Sequence, residues 1–157
     1  MTRIEQEIPD QPDVERLFRA ADERSATLYP GEDRAGPTIE ALLATGVRFF
    51  VARIDGRAVG CGGFVPGGEG WAEMKRIFVE EAARGGGIGN TLMLAIEQLA
   101  TNERFLAMRL ETGVRAEAAI RLYRRLGYAD RAPYGRHAAD ASSIFMEKSL
   151  GAARETG

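Results

Sequence analysis

A seven-residue segment, RGGGIGN at 84–90, has the composition of an anion-binding site. It follows the apolar run RIFVEE and precedes IGNTLMLAIEQLA, which has helical spacing. The first N–H groups of a helix lack internal partners and carry partial positive charge, and glycine lets phosphate oxygens approach the backbone. A strand, a glycine-rich loop and a helix in this order therefore predict a phosphate site.

Two common phosphate-binding motifs do not fit this segment. A P-loop needs Lys-Ser or Lys-Thr after its last glycine, and the sequence has I-G-N there. A dinucleotide fingerprint fails because its third glycine would fall on Asn90 or Leu92. The pattern that remains is R-x-x-G-x-G, formed by Arg84, Gly87 and Gly89, and it also suits a flexible loop at the start of a helix.

The elements on both sides of this loop follow from the apolar spacing. That spacing predicts helices over 13–28, 37–46, 88–100 and 115–127, and strands over 47–54, 57–65, 71–80, 105–112 and 142–150. The dipeptide DG at 55–56 indicates a hairpin turn, and PGGEG at 66–70 indicates a loop. Helices, a β-meander and then β-α-β-α-β predict one mixed sheet with helices against it, an α/β (α+β) fold.

Size and composition exclude several function classes. A chain of 157 residues fits one domain, predicted over 1–150, with 151–157 as a disordered tail. The net charge of -2 gives no basic footprint for nucleic acid, and no apolar segment is long enough to span a membrane. The start does not resemble a signal peptide, so a cytoplasmic protein is expected. One cysteine and one histidine argue against a disulfide and a metal site.

Two longer segments resemble the GNAT superfamily of acetyl-CoA-dependent N-acetyltransferases. AEMKRIFVEEAARGGGIGNTLMLAIEQLA resembles the family's pyrophosphate-binding strand, loop and helix, and LETGVRAEAAIRLYRRLGY resembles the next strand and the helix ending in A-x-x-L-Y-x-x-x-G-Y. Together they cover 71–128 in the family's order and spacing. The resemblance implies a mostly antiparallel sheet with a V-shaped split, flanked by helices, in a bacterial member that acts on small molecules.

The resemblance also places the cosubstrate acetyl-CoA on named residues. The backbone of Ile77, Phe78 and Val79 would contact the pantetheine, and loop amides would bind the pyrophosphate. The loop residues are Arg84, Gly85, Gly86, Gly87, Ile88, Gly89 and Asn90. Two positions depart from the family pattern, because Ala116 replaces an amide side chain and Asn90 replaces a basic residue. Affinity would therefore rest more on backbone donors.

Tyr123, in RLYRRLGY, occupies the position of the family's general acid. A tyrosine with a pKa near 10 facing a thiol near 8.5 is mismatched by ~1.5 units, so complete proton transfer in water costs roughly 2 kcal/mol. The resemblance therefore implies a hydrogen bond that tightens as the thiolate forms. Without the motif, a tyrosine packed beside Ala119 and Leu126 would be the better interpretation.

Glu73 is the candidate base. It lies in an apolar strand, where an unpaired carboxylate is costly, and strand alternation places it on the same face as Lys75 and Ile77. Counting back from Arg84, it falls where several family members carry their base. An ion pair with Lys75 is the alternative role, and water could carry the proton instead. At pH 7 a lysine-like amine costs about 4.6 kcal/mol to deprotonate and an α-amine about 1, so a weak base suffices for an α-amine.

Three other groups of residues have weaker signals. His137 lies in a loop that could border the acceptor pocket, although a single loop histidine is more often a surface residue. Cys61 has no nearby histidine or positive cluster and is expected to be a small strand residue. Positions 121, 124 and 125 are arginines of a solvated helix face, from which one could reach a CoA phosphate.

These observations lead to one hypothesis and two alternatives. The chain is expected to move an acetyl group from acetyl-CoA to a primary amine of a small molecule, such as an amino acid, by direct transfer in a ternary complex. Acetylation of a protein N-terminus or lysine is one alternative, and a CoA-binding sensor without catalysis is the other. A homodimer is common in the superfamily and is expected here.

Overall fold

The computed structural model describes residues 1–135 and 140–151. The helices are α1 (Pro12–Leu28), α2 (Ile39–Ala44), α3 (Ile88–Asn102) and α4 (Glu117–Arg125), and a 3₁₀ turn spans Glu81–Ala83. The strands are β1 (Thr2–Gln6), β2 (Arg48–Ile54), β3 (Arg57–Gly68), β4 (Trp71–Val79), β5 (Ala107–Gly113), β6 (Ala129–Arg131) and β7 (Ser143–Ser149). The predictions for His137 and for 152–157 of the tail lie outside the described residues.

The strands of the described residues form one seven-stranded sheet in the order β1-β2-β3-β4-β5-β7-β6. Only β4 and β5 pair in parallel, and the other neighbours are antiparallel. The predicted fold class, a mixed and mostly antiparallel sheet flanked by helices, is confirmed.

Two strands and one extension were not predicted. Strand β1 is mostly exposed and reads TRIEQ, so it has no apolar alternation to detect, and β6 has three residues. The predicted loop at 66–70 is wrong in its first half, because β3 continues to Gly68. There the Trp71 ring covers the strand so closely that a side chain at Gly67 would overlap it. Glycine is required here by close packing rather than by a turn.

Each face of the sheet has its own core. Helices α1 and α2 cover one face through a buried cluster made of Val14, Leu17, Phe18, Leu42, Phe49, Val51, Ala58, Cys61 and Val65. Helix α3 covers the other face through Leu92, Met93, Ile96 and Ala100, and α4 adds Tyr123; they pack in one cluster with Phe64, Met74, Met108 and Met146. The apolar stripe predicted for α3 is buried mainly at Ile88, Leu92 and Ile96.

Strands β4 and β5 diverge after a short parallel contact. Their pairing runs from Trp71 with Ala107 to Glu73 with Arg109, and both strands then continue without pairing to each other. The backbone groups of β4 that face β5 beyond Glu73 therefore have no ladder partner, although a buried backbone group needs one. This divergence is the predicted V-shaped split.

A bulge interrupts β4 next to the split. Lys75 pairs with Gly63 and Phe78 pairs with Cys61, so β4 has one residue more than β3 between these pairs. Within this insertion Arg76 has a φ of 59°, a left-handed conformation that is uncommon for a residue other than glycine. The extra residue shifts which side chains of β4 face each core.

The shift corrects one prediction about side-chain direction. Met74 belongs to the core beneath α3, and Ile77, three residues later, packs against the same core. Glu73 precedes Met74 and therefore points to the opposite face. The prediction that Ile77 shares the face of Glu73 is wrong, because the bulge reverses the alternation between them.

One carboxylate is buried in the core below α3. The Glu97 side chain accepts a hydrogen bond from the Tyr128 hydroxyl at 2.8 Å and pairs with Lys148 Nζ at 2.7 Å. Burial, together with this negative charge, raises the pKa of Tyr128 well above its usual value. These contacts connect α3 to the end of α4 and to β7.

Removing this carboxylate should destabilise the fold. We expect Glu97→Ala to lower the free energy of unfolding by about 3 kcal/mol, because it leaves a part-buried ammonium without its partner. Glu97→Gln keeps an acceptor for Tyr128 and should cost less. Arg124→Ala removes an exposed ion pair with Asp130 and should cost less than about 1 kcal/mol. Urea unfolding measures the stability of all three variants. Equal losses for Glu97→Ala and Glu97→Gln would contradict the role assigned to the contacts of Glu97 with Tyr128 and Lys148.

Candidate active site

A cavity of about 610 Å³ occupies the split between β4 and β5. It brings together residues that lie far apart in the chain, from the glycine loop, α4 and both strands. The predicted site residues that line it are Glu73, Ile77, Phe78, Val79, Arg84, Gly85, Gly87, Ile88, Gly89, Asn90 and Tyr123. Among the predicted residues Gly86 does not line the cavity, although it belongs to the same loop.

The glycine loop presents bare backbone to this cavity. Gly85 has a φ of 88° and Gly87 a φ of 82°, both left-handed, and no atom lies within 4 Å of where a side chain at either position would begin. Gly87 is also the N-cap of α3 and provides no side-chain cap. The first N–H groups of α3 are therefore available to a hydrogen-bond acceptor of a ligand, and the helix dipole adds positive potential there.

Three arginines add positive charge around the loop. Arg84 donates from Nε to the Val79 carbonyl at 2.8 Å, and its guanidinium lies 5.6 Å from the centre of the Phe78 ring. Burial lowers the pKa of Arg84, and the nearby charge of Arg24 lowers it further. Arg24 from α1 and Arg125 from α4 also line the cavity. The loop end of the cavity is thus suited to a polyanion.

The side chains of the three residues at the end of β4 pack in three different places. Ile77 packs beneath α3, Phe78 packs on the core below α1, and Val79 lies beside Ile88. Core packing by these side chains is therefore present. It is compatible with cofactor contact, because their backbone lies where β4 has already separated from β5.

Tyr123 is held by the core and reaches the cavity. Its side chain is buried, its ring packs edge-to-face with Tyr128 at 6.0 Å between centroids, and burial raises its pKa to about 12. Within residues 1–135 and 140–151 no hydrogen bond engages its hydroxyl, and no fully buried side-chain oxygen there lacks a partner. The hydroxyl is therefore accessible from the cavity that Tyr123 lines.

Glu73 is buried on the cavity wall between two polar neighbours. Its Oε2 atom lies 3.1 Å from Lys75 Nζ and accepts a hydrogen bond from the Tyr134 hydroxyl at 3.1 Å. Burial, and then the charge of Glu73, raise the pKa of Tyr134, so this hydroxyl remains a donor. The ion pair with Lys75 is thus present in the structure, and it does not exclude a second role for the carboxylate.

Tyr134 was missed by sequence reasoning because it lies in an irregular segment far from any motif. Its ring packs edge-to-face on Trp71, with centroids 5.2 Å apart, and on Phe145. The Arg109 guanidinium lies 4.3 Å from the centre of the Trp71 ring. These contacts fix the hydroxyl that Tyr134 directs at Glu73.

The segment between α1 and α2 lines one wall of the cavity and is held there by contacts of two arginines. Arg76 binds Asp22 of α1 at 2.7 Å and the Pro37 carbonyl at 3.0 Å. Arg34 of this segment donates to Glu111 at 2.8 Å. It also donates to the hydroxyls of Ser142 and Ser143 at 3.0 and 3.2 Å. No sequence signal marked these residues, because each contact joins elements that are distant along the chain.

Cys61, another chemical candidate of the sequence, has a packing role. Cys61 is fully buried, and burial raises the pKa of its thiol to about 12, as expected for a packing residue. Within the part of the chain that the structure describes, no group of three His, Cys, Asp or Glu side chains could hold a metal ion. No helix of that part is long and apolar enough to cross a membrane.

Comparison with known proteins identifies the family. The profile described as the acetyltransferase (GNAT) family matches residues 12–128, which is most of the chain. The chain therefore belongs to the GNAT family and is an acetyltransferase. The predictions of family, fold class and enzyme class are confirmed.

Individual relatives extend this likeness over nearly the whole chain. An IAA acetyltransferase of Azospirillum brasilense is 42% identical over 148 residues, which are 94% of this chain and 97% of that one. A Klebsiella pneumoniae structure described as an acyl-CoA N-acyltransferase has a TM-score of 0.82 and 35% identity, and covers 96% of this chain and 98% of its own. A Salmonella typhimurium acetyltransferase solved with acetyl-CoA has a TM-score of 0.71 at 20% identity, covers 96% and 94%, and shares the fold.

Proposed function

We propose that this protein transfers the acetyl group of acetyl-CoA to a primary amine of a small molecule, by direct transfer in a ternary complex. The observation that carries the proposal is the cavity in the split sheet, which the glycine loop, Tyr123 and Glu73 all line. The α1–α2 segment, held along the cavity wall by Arg34 and Arg76, supports a small acceptor over a peptide. We further propose that 1–150 act as one domain, in a cytoplasmic homodimer.

The cofactor end of the cavity fits acetyl-CoA in shape and charge. Open space at Gly85 and Gly87 admits phosphate oxygens, and the uncapped first turn of α3 supplies N–H donors. Arg84, Arg24 and Arg125 would balance the phosphate charge. The unpaired edge of β4 at 77–79 would bind the amide groups of the pantetheine, as another strand would. Bound acetyl-CoA supplies the thioester that the amine attacks and a thiolate that leaves.

Tyr123 would stabilise the leaving thiolate through its hydroxyl. With its pKa raised to about 12, it differs from a thiol near 8.5 by about 3.5 units, so full proton transfer would cost roughly 5 kcal/mol if the thiol kept its value in water. The same burial that raises the tyrosine pKa also penalises a thiolate beside it, which reduces the mismatch. A hydroxyl with a raised pKa therefore favours a strong hydrogen bond to the thiolate over early proton transfer.

Glu73 would take the proton from the acceptor amine. Its carboxylate faces the cavity, and Tyr134 and Lys75 hold it in place. An α-amine, which costs about 1 kcal/mol to deprotonate at pH 7, matches such a weak base better than a lysine does. We therefore propose an amino acid or a similar compound as the acceptor.

The first test concerns the glycine loop. Acetyl-CoA binds only the folded protein, so at 100 times its dissociation constant it should add about 2.7 kcal/mol of stability. Gly87→Val should abolish most of this gain, because it places a branched side chain where phosphate oxygens approach. Gly56→Val is the matched control, since Gly56 also has a left-handed φ, 87°, with open space around it, but lies in the β2–β3 turn. Thermal shift with and without acetyl-CoA measures the gain, and an equal gain in both variants would contradict the assignment.

The second test removes the Tyr123 hydroxyl alone. Tyr123→Phe should lower kcat on the order of 10²-fold with little change in acetyl-CoA binding. Because the pKa of Tyr123 is about 12, the hydroxyl stays protonated from pH 6.5 to 9, and the deficit should be constant over that range. Steady-state rates of thiol release measure it. A kcat close to that of the wild type would assign Tyr123 to the core only.

The third test separates the base from the ion pair. Glu73→Gln keeps an acceptor for Tyr134 and removes the charge. If Glu73 accepts the amine proton, the deficit in kcat/KM should shrink as the pH approaches the pKa of the amine, because more acceptor is already neutral. Profiles of kcat/KM from pH 6.5 to 9 for both proteins measure this. A deficit that does not change with pH would leave Glu73 with the ion pair alone.

A further inference from the structure

Lys75 presents a cation with spare hydrogen-bond donors to the cavity. Its ammonium group has three hydrogen-bond donors. Among residues 1–135 and 140–151 it makes one ion pair, from Nζ to Glu73 Oε2 at 3.1 Å, and no hydrogen bond. The side chain is 24% exposed and lines the cavity, so its remaining donors are available to a group that enters there.

The other cations on this half of the cavity are already engaged. The Arg76 guanidinium binds Asp22 and the Pro37 carbonyl and stacks on Phe18, with 4.2 Å to the ring centre. Arg34 is engaged with β5 and β7 and lies over an aromatic ring. Both arginines therefore hold the walls of the cavity, and Lys75 is left as the cation for a ligand.

We propose that the acceptor carries a free carboxylate next to its amine, and that Lys75 binds this carboxylate. The inference rests on the proposed function and specifies its substrate class. An α-amino acid is a zwitterion, and the neighbouring charges of Glu73 and Lys75 are its complement. When the ammonium of the acceptor faces Glu73 and its carboxylate faces Lys75, each charge of the acceptor meets an opposite charge and the site acquires no net charge.

This arrangement reconciles the two roles considered for Glu73. Without acceptor, Lys75 compensates the buried carboxylate. When the carboxylate of the acceptor takes up the donors of Lys75, the lysine holds Glu73 less strongly, and Glu73 then faces the amine that must lose a proton. Lys75 acts as a specificity residue, and an amine without a carboxylate would leave Glu73 paired as before.

A matched series of acceptors tests the proposal. Each of the protein amino acids is compared with its α-carboxamide, and the best substrate also with its decarboxylated amine, by thiol release from acetyl-CoA. We expect the free acids to have a kcat/KM about 10- to 100-fold higher, the range for hydrogen bonds to charged groups. Lys75→Met should lower kcat/KM for the acids to that of the carboxamides, without changing KM for acetyl-CoA. Lys75→Arg should restore part of the preference.

Arg124→Gln is the control, because it removes a cation from an exposed ion pair outside the cavity and should leave the preference unchanged. Carboxamides that react as well as acids would overturn the inference and leave the proposed function intact. If Lys75→Met instead raises KM for acetyl-CoA, Lys75 contacts the cofactor, and the inference is also overturned. If acetyl-CoA binds but no amine releases thiol, the proposed function fails. In that case the inference is tested by the thermal shifts that acids and carboxamides cause in the presence of saturating CoA. Equal shifts by the two kinds of compound would contradict it.

Discussion

The site depends on a sheet that stops pairing in the middle. Strands β4 and β5 pair over three residues each and then separate, although each continues for several more. A buried strand edge without hydrogen-bond partners is costly, so the edge of β4 requires a ligand or water to satisfy it. The same separation opens the space into which Tyr123 reaches and places the N-terminus of α3 at one end of it. The cavity, its unpaired donors and its access to the helix dipole all follow from this divergence.

A second constraint determines which side chains face the cavity. The bulge at Arg76 lets Glu73 and Lys75 face one side of β4 while Ile77 packs on the other. The left-handed backbone that the bulge requires is compensated by the contacts of the Arg76 side chain with Asp22. This ion pair fastens α1 to the strand that carries Glu73. The irregular backbone of β4 and the attachment of α1 to it thus both involve Arg76.

Most of the fold could be predicted because its signals are local. The glycine loop, the stripe of α3 and the alternation of the central strands depend on neighbouring residues, and each corresponds to an element of the structure. Strand β1 was not predicted because its residues are mostly exposed and polar. In the site, the order of motifs indicated the loop and Tyr123. The bulge and the contacts of Tyr134 could not be predicted, because they depend on partners more than 10 residues away. Spacing in a sequence carries no information about such partners.

The position of β7 bears on how the protein is made. This strand, at residues 143–149, lies between β5 and β6 rather than at an edge, and Arg34 reaches serines 108 and 109 residues further along the chain. A nascent chain synthesised only as far as α4 would hold the glycine loop and Tyr123 but would lack β7, the antiparallel partner of β5. Because contacts so distant along the chain form only after the intervening segments emerge from the ribosome, the contacts of β7 with β5 and with Arg34 form after the segments that carry the glycine loop and Tyr123 have been synthesised.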